Sequence, residues 1–190
     1  MRKALCFTAL LALAALLARP AFTATPQPGD PKPVAKGARA EVLRQVDAAR
    51  DKLIALAEAT PADKFTWRPN DKVRTVGEVY AHVAGGNYFI PTLWGVKPPA
   101  GVDPRGFDKE AGDKAKTIAT LKSSFAHVET AIESTPEADL DKAVKIFDHE
   151  GTVREGFLIV ASHAHEHLGQ SIAYARSVGV VPPWSASGGQ

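Results

Sequence analysis

Apolar residues recur at steps of three and four along four stretches of the chain, which is the pattern of helices with one buried face. The four stretches cover residues 38–59, 76–90, 112–134 and 153–178. Their apolar positions are Val42, Val46, Ala49, Leu53 and Leu56; Val76, Val79, Tyr80 and Val83; Ile118, Leu121, Phe125, Val128 and Ile132; and Phe157, Val160, Ala161, Ala164, Leu168, Ile172 and Ala175. With little strand pattern elsewhere, they predict an all-α fold, a four-helix bundle with long interhelical loops.

Start and stop signals support two of these helices. Thr75 and Thr152 are each followed three positions later by a glutamate, Glu78 or Glu155, which is the spacing of a capping box. Gly179 lies just beyond the fourth stretch and is a good helix terminator. The sequence therefore predicts well-defined starts for the second and fourth helices.

The connections between helices are less regular. Gly85 and Gly86 are expected to weaken the second helix, and Pro91 is expected to kink or end it. Residues 91–111 are rich in proline and glycine and predict a long loop, and loops of that length are often functional. Residues 139–151 predict a short strand or a turn.

The N-terminal end differs in kind from the rest of the chain. Arg2 and Lys3 give a basic start, and an apolar run rich in leucine and alanine covers residues 5–18. This pattern is typical of a secretory signal peptide, here residues 1–24, and the run is short for a membrane span. We therefore expect an exported protein, periplasmic or extracellular, with no stable membrane span in its mature form. An uncleaved N-terminal anchor is the rival interpretation.

The remaining chain reads as one domain. Residues 25–37 hold four prolines and two glycines and predict an extended linker. The bundle is expected over residues 38–184, and residues 185–190 are expected to be a flexible tail. The 190-residue chain has 45% hydrophobic and 23% charged residues, which is ordinary for a globular protein and argues against disorder.

Charge and cysteine usage exclude some functions. The chain has 23 basic and 21 acidic residues; loss of Arg2, Lys3 and Arg19 with the signal peptide would leave 20 basic residues against 21 acidic ones. With no basic stripe among aromatic residues, the sequence gives no support for nucleic-acid binding. The single cysteine, Cys6, lies in the signal peptide, so the mature protein would have no thiolate nucleophile or ligand.

Three of the six histidines fall within five residues, at His163, His165 and His167. On a strand all three would share one face, whereas on a helix His163 and His167 share a face and His165 points away. The capped start, the glycine stop and the lack of proline favour the helix. Two imidazoles one turn apart can hold one ion, and imidazole suits zinc, copper, nickel or iron.

A third ligand must come from another helix, because a catalytic zinc site usually has three protein ligands and one open position. His82 is the best candidate, since it lies near the inner face of the second helix. His127 lies beside the apolar face of its helix, and His149 lies in a predicted turn. Both are weaker candidates.

The motif in the fourth helix resembles the DinB/YfiT-like family of four-helix-bundle, metal-dependent proteins. The matching residues are His163-x-x-x-His167-Leu168-Gly169-Gln170, Tyr174-x-Arg176-x-x-Gly179 and Pro182-Pro183, with Trp67-Arg68-Pro69, Thr75-Val76-Gly77-Glu78 and His82 upstream. The resemblance covers roughly residues 38–184. It implies a metal site on His82, His163 and His167, and bundles that often form homodimers.

Family members include thiol-dependent transferases and a mycothiol-dependent isomerase, so the resemblance implies a metal-dependent enzyme of transferase or hydrolase type. We expect one divalent ion, zinc or nickel first, and a small-molecule substrate. A secretory signal is unusual for enzymes that use a cytosolic thiol, which puts that cosubstrate in doubt. The alternative is a non-catalytic exported bundle that binds a metal or a ligand.

Further side chains are candidates for the surroundings of the ion. Asn87, Gln170 and Tyr174 are expected to orient the imidazoles or line a pocket. Glu166 is expected to face away from the ion. Four aromatic residues could line the pocket or simply pack, and these are Trp67, Tyr88, Phe89 and Trp94.

Overall fold

Four long helices make up most of the chain that this computed structural model describes, residues 37–186. They are α1 (Ala38–Ala59), α2 (Val76–Phe89), α3 (Lys114–Ser134) and α4 (Val153–Ser177). The all-α four-helix bundle is therefore confirmed, and its helix bounds lie within two residues of those predicted. The predicted signal peptide and nearly all of the predicted linker lie outside the described residues.

The core lies between the four helices. α1 and α2 each pack against both α3 and α4. All of the predicted inner positions are buried except Ile118 and Ile172, which are partly buried. The hydrophobic pattern thus gave both the helices and the faces they turn inward.

The two predicted capping boxes differ in the structure. At the start of α2 both bonds form: Glu78 N donates to Thr75 Oγ1 at 3.2 Å, and Thr75 N donates to Glu78 Oε2 at 2.7 Å. At the start of α4 only the bond from Glu155 N to Thr152 Oγ1 is present. The second capping box is therefore only half formed, because the Glu155 carboxylate pairs with His149 instead.

The glycines of α2 do not interrupt it. The helix runs through Gly85 and Gly86 to Phe89, and a 3₁₀ helix, Ile90–Trp94, follows it with Pro91 in its first turn. A Cβ at Gly85 would lie 2.6 Å from Pro104 O, so glycine allows the following loop to approach the helix. The predicted long loop also contains a second 3₁₀ helix, Phe107–Glu110.

A β-hairpin precedes α4, where the sequence left a strand or a turn open. β1 (Ala143–Ile146) pairs antiparallel with β2 (His149–Thr152), and Ile146 is opposite His149. His149 is therefore the first residue of a strand and not a turn residue. The turn itself is Phe147-Asp148, and Phe147 has a φ of 48°.

The described chain ends in a one-turn helix, α5 (Pro183–Ala186), which extends into the predicted tail. The ammonium of Lys52 lies 5.6 Å from the centre of the Trp184 ring, so this segment contacts α1. The rest of the predicted tail lies outside the described residues. Among residues 37–186, no helix is long and apolar enough to cross a membrane.

Candidate metal centre

Three histidine side chains from two helices meet between α2 and α4. One potential ligand atom from each of His82, His163 and His167 lies within 4.8 Å of the other two. Nε2 of His82 and Nε2 of His163 are 3.3 Å apart. His167 is buried, and the centre of its ring lies 4.6 Å from each of the other two ring centres. The structure thus brings together the three histidines that the sequence singled out.

Helix geometry and one glycine explain this convergence. His163 and His167 are four residues apart on α4 and therefore share a face. Their partner His82 comes from α2, which packs on α4. A Cβ at Gly86 would lie 2.8 Å from His163 Nδ1 and closer still to its Cε1. Only glycine leaves room for the ring. The sequence alone indicated this residue merely as a weak point of the helix.

A chain of hydrogen bonds fixes the His167 ring. Gln170 Oε1 lies 2.8 Å from His167 Nδ1, and Gln170 Nε2 donates to Tyr174 Oη at 3.1 Å. The Tyr174 ring packs edge-on against Trp67 at 5.6 Å. An amide oxygen can only accept, so His167 Nδ1 donates and its Nε2 keeps a free lone pair. This is how a partner on one ring nitrogen selects the nitrogen available to a metal.

The surroundings keep two of the imidazoles neutral. Burial, followed by the charge of Arg74 and the neighbouring His167, lowers the pKa of His82 to about 4. Burial, followed by the other two histidines, lowers the pKa of His163 to about 3. A neutral imidazole has the lone pair that a metal ligand needs, so both rings are ready to bind an ion at neutral pH.

The donor set fits a divalent ion such as zinc. Zinc–nitrogen bonds of about 2.0–2.1 Å at tetrahedral angles place two ligand nitrogens about 3.4 Å apart. The 3.3 Å between His82 Nε2 and His163 Nε2 agrees with that spacing. Nδ1 of His163 is buried and has no hydrogen-bond partner. The nitrogen of this ring that faces His82 is therefore Nε2. Three nitrogens held this close match the chemistry of a three-histidine site.

A cavity of about 620 Å³ opens beside the histidines. His82 and His163 form part of its wall, while Phe89, Ile90 and Phe147 form an apolar part. Such a volume is in the range of small-molecule sites. The cluster therefore faces a space that a ligand can enter.

Charged residues also line this cavity, and one of them corrects an expectation. Glu166, expected to face away, lines the cavity with His163, because residues three apart on a helix are neighbours. Arg105 and Asp108 come from the connection between α2 and α3. The tip of the hairpin, Phe147, was not singled out from the sequence at all, since no local pattern brings residues 147 and 82 together.

Of the three residues suggested for the surroundings of an ion, two lie beside the histidine cluster and one does not. Gln170 and Tyr174 form the chain that ends on His167. Asn87 is fully buried and donates from Nδ2 to Ser124 Oγ of α3 at 3.1 Å. It does not line the cavity, because it faces α3 and not α4, so its structural place is the contact between α2 and α3.

The other three histidines lie apart from the cluster. Nε2 of His165 lies 3.2 Å from the carbonyl oxygen of Gln45 on α1, as the helical spacing predicted for a residue on another face. The His127 ring lies 5.1 Å from that of Tyr88. His149 pairs with Glu155 near the start of α4.

The four aromatic candidates have different places. Phe89 lines the cavity. Trp67 packs on Tyr174, Trp94 lies edge-on to Phe157 at 5.2 Å, and Tyr88 lies against Phe107 and His127. Packing is thus the main role of three of the four.

Known proteins resemble both the sequence and the fold. A family model described as the DinB superfamily matches residues 45–171. A DinB-like protein from Bacillus subtilis has 15% identity and a TM-score of 0.58, with 74% of this chain and 93% of that chain covered. A DinB-like protein from Bacillus cereus has 16% identity and a TM-score of 0.59, covering 75% and 93%. No curated protein matches the chain.

Proposed function

Since this chain belongs to the DinB superfamily, we propose that it is a metal-dependent enzyme that holds one divalent ion on His82, His163 and His167. The observation that carries the proposal is the convergence of three histidine nitrogens within 4.8 Å beside an open cavity. Zinc and nickel are the proposed ions, because both suit imidazole ligands.

The cavity favours catalysis over a purely structural ion. A structural zinc site is closed by four protein ligands, whereas a catalytic site keeps one position open. Among the described residues, three histidines form the only such group of ligands, and two of them line the cavity. The competing function is a bundle that binds metal without catalysis. A fourth protein ligand would support it, and the group found among the described residues has three.

The residues of the chain have distinct roles in this proposal. The three histidines bind the ion, Gln170 orients His167, and Gly86 leaves room for His163. An ion on three neutral imidazoles supplies Lewis acidity and eases deprotonation of a water or a thiol. Glu166 gives the cavity a carboxylate that can accept a proton.

The proposed reaction is a transfer or a hydrolysis on a small-molecule substrate. The only cysteine of the chain is Cys6, far from the bundle in sequence, so a thiol nucleophile would come from an external small thiol. Water is the alternative nucleophile and would make the protein a hydrolase.

Metal analysis combined with turnover tests this function. We expect about one zinc or nickel ion per purified chain, because the site has one set of three ligands. A panel of electrophiles and esters, with and without small thiols, should reveal a turnover that a chelator abolishes and added metal restores. His165→Ala is the matched control and should behave like the parent protein. A full complement of metal without metal-dependent turnover across the panel would favour the non-catalytic function.

Export and self-association complete the proposal. The proposed signal peptide would direct the protein to the periplasm or the medium, and N-terminal sequencing of the protein from fractionated cells tests this. A homodimer is proposed from the resemblance alone, and light scattering on the purified protein measures it. The charge balance of the chain without its first 24 residues supports a function without nucleic acid.

A further inference from the structure

Phe147, at the tip of the hairpin, has an unusual backbone conformation. Its φ of 48° lies in the left-handed region, and it is the only described non-glycine residue with a positive φ. Two-residue hairpin turns normally place glycine, asparagine or aspartate at such a position. A bulky residue in this conformation is strained, and it persists only where its surroundings impose it. Such strain is typical of residues that serve a site.

The side chain of Phe147 is also unusual, because it is exposed. Phe147 is 57% exposed and Phe89 is 41% exposed, although both are large and apolar. Their rings are stacked, with centres 6.5 Å apart and planes inclined by 23°. The pair does not complete the bundle core; it lines the cavity that His82 and His163 also line. The hairpin and α2 thus present a partly exposed apolar surface to this cavity.

We propose that Phe89 and Phe147 bind the apolar, aromatic body of a small ligand whose polar head reaches the histidine cluster. The cavity, at about 620 Å³, holds a body of one or two rings. Ile90, Ile159 and Pro104 extend the apolar wall. The proposed binding of the apolar body of the ligand depends only on this apolar wall. The proposed contact between the polar head and the histidines rests on the metal function proposed above.

The charges around the cavity indicate which kind of polar head the ligand would carry. Three neutral imidazoles leave a bound divalent ion its full charge, and Arg105 adds a positive charge to the wall. Oxygen donors with negative charge are therefore favoured at the histidines. Asp108 and Glu166 also line the cavity, and their charges act on His82, so they disfavour any further negative charge on the ligand. The ligand class is thus an aryl or arylalkyl compound with one oxygen-donor head.

Binding of a neutral fluorophore tests the apolar wall without any metal. N-phenyl-1-naphthylamine is titrated into the metal-free full-length protein. Phe89→Ala and Phe147→Ala should each weaken binding about fivefold to tenfold, because each removes apolar area from the contact. Leu158→Ala is the matched control, since Leu158 is also 57% exposed but does not line the cavity. Equal binding by parent and both phenylalanine variants would overturn the inference.

A pair of hydroxamates tests whether body and head bind together. Benzohydroxamate and acetohydroxamate share an oxygen-donor head and differ in the ring, and both are titrated into the zinc-loaded protein. We expect benzohydroxamate to bind about tenfold tighter, and the ratio to fall toward one in the Phe89→Ala/Phe147→Ala double variant. Acetohydroxamate should bind the parent and the double variant equally well.

The two titrations separate failure of this inference from failure of the proposed function. An unchanged hydroxamate ratio in the double variant, with acetohydroxamate still bound, overturns the role of the phenylalanines and leaves the metal centre intact. Fluorophore binding that depends on Phe89 and Phe147, without binding of either hydroxamate, keeps the apolar wall and overturns the metal-bound head.

Discussion

Histidines lie on or beside α4 in two places, and the surroundings of the two groups differ. Near the start of the helix, His149 is exposed, with Nε2 at 2.7 Å from Glu155 Oε1 and Nδ1 at 3.4 Å from Asp148 Oδ1. These carboxylates raise its pKa. Further along the helix, burial lowers the pKa of His82 and His163, and nearby histidines lower it further.

The difference shows that neighbours decide what a histidine can do. A raised pKa favours the protonated ring, which has no lone pair for a metal and forms an ion pair instead. A lowered pKa favours the neutral ring, which is a metal ligand. The candidate metal centre and the hairpin junction, where His149 of β2 pairs with Glu155 of α4, therefore use one residue type for opposite purposes. Each can be altered separately.

Loss of a ligand should give the largest effect. His163→Ala leaves two imidazoles, and we expect the affinity for zinc to fall at least about a hundredfold, because a three-ligand site loses one of its bonds. Competition with a chromogenic chelator measures this affinity. His165→Ala, two residues away and facing α1, should keep the affinity of the parent protein. Equal loss in both variants would mean that the effect comes from helix damage and not from ligation.

A methyl group at Gly86 should give the next largest effect. Gly86→Ala places a Cβ within 2.8 Å of His163 Nδ1, so the ring must move away from His82. We expect the affinity for zinc to fall about tenfold to a hundredfold, the range found when a group that orients a metal ligand is lost.

The control for this substitution is a second helical glycine. Gly169 lies in α4 with no atom within 4 Å of an added Cβ. Gly169→Ala should stabilise the protein by roughly 0.5–1 kcal/mol and leave zinc binding unchanged. If Gly86→Ala also bound zinc like the parent protein, the close packing of His163 on α2 would have no part in the site.

Loss of the hydrogen bond to His167 should have a moderate effect. Gln170→Ala removes the acceptor that fixes Nδ1 of His167, and we expect about tenfold weaker zinc binding. Gln170→Glu keeps an acceptor and should retain most of the affinity. Tyr174→Phe removes only the next bond in the chain and should change the affinity less than Gln170→Ala does. The reverse order would contradict the proposed path through Gln170.

The smallest effect is expected at the hairpin junction. Because the folded-state pKa of His149 is raised, its stabilisation is complete below the unfolded-state pKa of about 6.5. The stabilisation is lost as the pH rises through the folded-state pKa. Thermal melts at pH 6 and pH 9 should show His149→Gln less stable than the parent by a few degrees at most at pH 6, with no difference at pH 9. A larger difference at pH 9 would reverse the sign and exclude the ion pair.

Much of the bundle could be predicted because its information is local. Helical spacing, capping residues and the position of Gly179 depend on neighbours within a few residues, and they gave the helices and their buried faces. The pairing of His163 with His167 is equally local. The choice of His82 as their partner needed the resemblance as well, since no spacing rule joins two helices.

The remaining features depend on which segments meet in space. The sequence could not show that Gly86 lies under the His163 ring, that Glu155 turns from its helix to His149, or that Phe147 reaches the cavity. Asn87 was misplaced for the same reason: its position on α2 was known, but the neighbour it faces was not. The periodicity of a helix predicts which of its faces is buried, but only the packed structure shows which segment that face contacts.

The two facing nitrogens of His82 and His163 belong to residues 81 positions apart, so the ion site exists only after distant parts of the chain have docked. An unfolded chain offers an ion little more than His163 and His167, which are close together in sequence. Under thermodynamic linkage, each tenfold rise in free ion would then add about 1.4 kcal/mol to the free energy of unfolding, once the ion exceeds its dissociation constant. The melting temperature of the protein would follow the metal supply of its compartment, and starvation for metal would shorten its lifetime even with every side chain intact.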